Sequence, residues 1–84
     1  MLSVGPDTTT YSVPGTHHEA SYLTAIMSLA LAEQASLTHV ELSTPSDLVK
    51  NQAQGIWECR APNLRPLWKM LQLLMTRFDE VRFT

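Results

Sequence analysis

Segments of β-forming residues alternate along this chain with longer stretches of helical periodicity, and that interleaving restricts the fold more than any other feature. Strands separated by helices cannot be joined by tight turns. They need crossovers, which lay at least part of the sheet parallel with right-handed connections. Leu2 and Val4 alternate, Gly5-Pro6-Asp7 has turn chemistry, and Thr8–Val13 is rich in β-formers, so a short hairpin is expected over the first fifteen residues. Pro14-Gly15 ends it. A helix is predicted from Thr16 or His17 to Gln34, with Leu23, Ile26, Met27, Ala30 and Leu31 as its apolar stripe and Thr16 with Glu19 as a capping box.

A strand follows over Thr38–Leu42, with Val40 and Leu42 on one face. Thr44 can cap a brief helix with Pro45 at its first position and Asp47 in its first turn, and Gly55 stops it. Ile56–Pro62 reads as a loop. Leu64, Leu67, Trp68, Leu71, Leu74, Met75 and Phe78 then form the cleanest stripe in the chain, predicting a helix from Asn63 to about Phe78. Glu80–Thr84 alternates as a last strand. The order ββ-α-β-α-α-β predicts one α/β domain over residues 1–84. It has a short mixed sheet of about four strands, two long helices and one short helix.

The 84 residues leave little room for a catalytic cleft together with its supporting shell. One cysteine, Cys59, excludes an internal disulfide framework and suggests a reducing, cytoplasmic compartment. The N-terminal stretch lacks the basic and apolar regions of a secretory signal, and no apolar run is long enough to span a bilayer. The net charge of −2 hides a division. Residues 1–49 carry Asp7, Glu19, Glu33, Glu41 and Asp47 and no Lys or Arg; residues 50–84 carry all six cations against Glu58, Asp79 and Glu80. Such a division suits a weak nucleic-acid footprint or two complementary faces.

Several motifs in register resemble one family. Thr16-His17-His18-Glu19-Ala20-Ser21-Tyr22 is similar to the T-N-N-x-A-E-Y segment that opens the first long helix of ribonuclease H domains, in the branch of bacteria, plants and retroelements. Ser46-x-Leu48-Val49-x-Asn51-Gln52 with Gly55-x-Trp57 resembles D-S-x-L-V-x-N-Q-x-x-G-x-W. Arg60-Ala61-Pro62-Asn63-Leu64-x-Pro66-Leu67 and Phe78-x-x-Val81-x-Phe83-Thr84 resemble the second long helix and the strand after it. The resemblance covers residues 10–84 and implies a minimised ribonuclease H-like fold, with Leu2–Val4 in the central strand's place beside Thr38–Leu42.

The family cuts the RNA strand of an RNA–DNA hybrid with four carboxylates holding two Mg²⁺ ions, which activate water and stabilise the leaving oxygen. The resemblance puts the helix glutamate at Ser21 and the aspartate after the fourth strand at Pro45. The first-strand aspartate has no counterpart, and the last falls beyond Thr84. Other acids do not replace them. Glu19 lies about 200° around the helix from Ser21, Asp47 suits a helix dipole, and Asp7 sits in a turn. The expectation is a non-enzyme without metal or cofactor.

Two binding readings follow. One is a protein-interaction module, such as a homodimer, an assembly subunit or a phage or mobile-element inhibitor, with Arg65, Lys69, Gln72 and Arg77 as the candidate surface. The other is non-cleaving recognition of duplex or hybrid nucleic acid through Lys50, Asn51, Gln52, Trp57 and Arg60. A residual metal-dependent nuclease ranks last. His17, His18, His39 and Cys59 lack metal-ligand spacing, Cys59 has no base beside it, and Trp68 falls on the core stripe. Whether the chain is a whole gene product or a fragment stays open.

Overall fold

A computed structural model of the chain describes residues 8–15 and 17–84. The elements are β1 (Thr9–Ser12), α1 (His18–Gln34), β2 (His39–Ser43), α2 (Asp47–Ala53), α3 (Arg65–Met75) and β3 (Glu80–Phe83). Among the described residues the sheet has three strands in the order β1-β2-β3, and both pairs are parallel. The expected mixed sheet is thus all parallel here, and the strand beside β2 is Thr9–Ser12. The expected strand at Leu2–Val4, and the hairpin built on it, lie outside the described residues.

Register explains the layering. Thr9, Val40 and Val81 align across the sheet, as do Tyr11, Leu42 and Phe83. Val40 and Leu42 are fully buried, and Tyr11, Val81 and Phe83 pack against the same core, so this face meets the helices. The alternate positions Thr10, Glu41 and Arg82 form a polar opposite face, where Glu41 accepts from the hydroxyls of Thr10 (3.4 Å) and Thr84 (3.3 Å). A face of this composition is at home in water, although parallel sheets are commonly covered on both sides.

The stripe expected on α1 is corrected by burial. Its inner face is Ser21, Tyr22, Ala25, Ile26, Ser28, Leu29 and Ala32; Leu23, Met27 and Leu31 face solvent. Both buried serines donate to the carbonyl four residues back, Ser21 to His17 and Ser28 to Thr24 (each 2.8 Å), so polar side chains fit inside. The α1 N-cap is His17, which makes no side-chain capping bond, and Thr16 of the expected capping box lies outside the described residues. α3 keeps its expected stripe, with Leu71 fully buried, but is shorter than Asn63–Phe78 because Thr76 and Arg77 bond to carbonyls three residues back and close it in a tighter turn. No helix among the described residues is long and apolar enough to cross a membrane.

Candidate functional site

β2 delivers the chain at its C-terminal end into Thr44-Pro45-Ser46 and then α2. Thr44 Oγ1 accepts from the Ser46 amide (3.1 Å), and Ser46 Oγ accepts from the Val49 amide (3.3 Å). The α2 N-cap is therefore Ser46 and not Thr44, since the Thr44 side chain is spent on the turn before the helix. Pro45 precedes the cap instead of occupying the first helical position. Its ring rests on Gly15, where a Cβ would lie 2.7 Å from Pro45 Cγ and 3.1 Å from the Ser46 nitrogen.

Ser21 reaches the same segment from α1. It is fully buried, and its hydroxyl proton is shared between the carbonyls of His17 (2.8 Å) and Pro14. Pro14-Gly15 thus lies between Ser21 and Pro45, so the two positions matching family carboxylates converge as expected. What converges is a hydroxyl already engaged by backbone and a ring with no donor atom. A pair of hard divalent ions needs several oxygen ligands, mostly carboxylates. These side chains do not supply them. Among the described residues, no group of three or more His, Cys, Asp and Glu comes together to hold a metal ion. Glu19 is turned to the start of α3, where it accepts from Asn63 Nδ2 (3.3 Å).

The candidate nucleic-acid contacts divide between structural and accessible roles. Gln52 is buried: it accepts from the Tyr22 hydroxyl (2.6 Å) and donates to the Glu58 carbonyl (3.3 Å). Burial, and then the neighbouring Cys59, push the Tyr22 phenol well above its ordinary range, keeping it a donor. The Asn51 carbonyl accepts from the amides of Ile56 (2.8 Å) and Trp57 (3.0 Å) and shapes the loop, while Lys50 is half-buried in α2. Trp57, 47% exposed, and Arg60 line a cleft of about 280 Å³ with Cys59, Arg65 and Trp68. Arg60 is held by Glu58 (2.6 Å) at its mouth. Trp68 is half-buried and donates from Nε1 to the Gln52 carbonyl (3.0 Å).

The candidate partner surface also divides. Gln72 points inward and donates to the Ala53 carbonyl (2.9 Å), tying α3 to α2. Arg65 belongs to the cleft, whereas Lys69 and Arg77 line a groove between α1 and α3. That groove, about 520 Å³, is otherwise apolar, with Ile26 and Ala30 on one side and Pro66, Met70, Leu73 and Leu74 on the other. Beside it lie exposed Leu23, Met27 and Leu31, which the sequence pattern assigned to the core. The signal that could have placed them outside is the apolar character of α1 on nearly every side: one sheet cannot bury it all.

A parallel sheet backed by α1 and α3, with the degenerate carboxylate positions at the strand ends, defines a ribonuclease H-like domain. The family model described as reverse transcriptase-like matches residues 9–84, and the chain belongs to this ribonuclease H-like family. No curated protein sequence matches it. Among solved structures, it is similar to RNase H1 from the halophilic archaeon Halobacterium salinarum NRC-1, at 31% identity and a TM-score of 0.76, covering 83% of this chain and 53% of that one. It is also similar to the N-terminal RNase H domain of Rv2228c from Mycobacterium tuberculosis, at 28% identity and a TM-score of 0.73, covering 76% and 49%. The chain therefore spans about half the length of these structures.

Proposed function

We propose that this ribonuclease H-like domain binds without cutting and acts through contacts with protein, as an assembly subunit or an inhibitor in a reducing cytoplasm. The observation that carries the first half is the pairing of Ser21 and Pro45 around Pro14-Gly15. A hydroxyl committed to backbone carbonyls and a proline ring cannot share two divalent ions between them. The second half is supported by the α1–α3 groove and the large apolar side chains exposed around it, a combination that marks a docking surface on a small domain. The purified chain is expected to leave an RNA–DNA hybrid intact with Mg²⁺ or Mn²⁺ and to associate with protein.

A second reading is favoured by the cleft at Trp57. An accessible indole beside Arg65 and Trp68 suits stacking on a nucleobase, and the relatives are RNases H. Binding of this kind falls steeply with salt. A hybrid or duplex that is retained at low salt and released by Trp57→Ala supports it, and flat or absent binding at low salt removes it.

A further inference from the structure

We infer that the α1–α3 face is closed by a second copy of this chain, in a two-fold pair that lays α1 of each protomer against α3 of its partner. The inference deepens the protein-binding reading and rests on it. Leu23, Met27 and Leu31 recur at four-residue steps on the side of α1 turned from its buried face, and Met27 is 63% exposed. Across the groove Met70 and Leu73 are equally bare, Leu73 at 65%. The opposite face of the sheet is polar and has no such need.

Charge selects the occupant. α1 carries Glu19 and Glu33 and no Lys or Arg, while α3 carries Arg65 and Lys69 and no acid. A two-fold interface uses the same patch on both protomers, so a surface that is half acidic and half basic can complement itself. Setting α1 on the partner's α3 matches acid with base twice. Setting α1 on α1, or α3 on α3, opposes like charges and is disfavoured. Within one protomer Arg77 and Glu33 already meet at 3.1 Å, with both side chains half-exposed, so the two helices attract by the same chemistry in cis. The division of charge along the sequence is thereby a division between two helices of one face.

Sedimentation equilibrium of the chain, from about 1 to about 100 μM, spans the range in which a dimer of modest interface dissociates. The expected mass at the upper end is twice 9.4 kDa. Leu73→Glu and Met27→Glu are expected to weaken association at least about tenfold, since each places a charge in an apolar contact. Because both side chains are exposed, circular dichroism should be unchanged. Arg65→Glu with Lys69→Glu, and separately Glu19→Lys with Glu33→Lys, should each weaken self-association, and an equimolar mixture of the two double variants should restore it. A monomer at every concentration, full association of the apolar variants, or a mixture that fails to recover overturns the inference. A monomer that still leaves the hybrid uncut overturns only the second copy as occupant; a cleaving dimer overturns only the non-cleaving reading.

Discussion

Ser21 and Gly15 carry the chemistry at the residue scale, because each fills space that a metal site would need for oxygen ligands. Gly15→Ala should destabilise the domain by about 1–3 kcal/mol, since the added Cβ meets the Pro45 ring at 2.7 Å and a proline ring has little freedom to yield. Pro45→Ala in the same chain should recover part of that loss, and urea unfolding of the two variants measures both. Tyr22→Phe leaves the buried Gln52 carbonyl without its donor and should cost about 1–3 kcal/mol. Tyr22 also sets a pH dependence. Its folded phenol ionises at higher pH than the unfolded one, so its contribution is fully present below about pH 10 and is lost as pH rises above that. Stability of the native chain should fall between about pH 9 and pH 11, and Tyr22→Phe should flatten part of that fall.

Two helix ends show at the element scale how much of the fold could be read from residues. α2 ends with Gly55 at φ 81°, its amide bonded to the Gln52 carbonyl and the Ile56 amide bonded to the Asn51 carbonyl. α1 ends in the same arrangement with Ser36 at φ 60°, bonding to Glu33, while Leu37 bonds to Ala32. Glycine announces the first stop, and serine conceals the second. Ser36→Gly should therefore stabilise the chain by about 0.5–1 kcal/mol, seen as a raised melting temperature. Ser46→Ala removes the α2 cap and should cost about 1 kcal/mol. The same contrast separates the helices. α3 is strongly two-sided, and Leu64, Leu71 and Phe78 could be placed inside from spacing alone. α1 is apolar nearly all round, so its inner face was decided by tertiary packing, with Ser21 and Ser28 satisfied by their own helix. At the site, the motif register located Ser21 and Pro45; the engagement of Gln52 and Gln72 with backbone carbonyls depends on how α2 meets α3, which no local pattern records.

For the whole molecule, the sheet separates two kinds of surface: a polar face around Glu41 and a helical side whose outer groove is apolar and divided in charge. The family scaffold is retained over residues 9–84, while the positions that carry its metal chemistry hold side chains suited to packing. The central claim is that this domain binds without cutting. Incubation of the purified chain at high concentration with an RNA–DNA hybrid, in Mg²⁺ and then in Mn²⁺, tests it most directly. The RNA strand is predicted to remain intact at the level of the protein-free control. Cleavage that follows the chain through purification and is abolished by chelating the metal would contradict it.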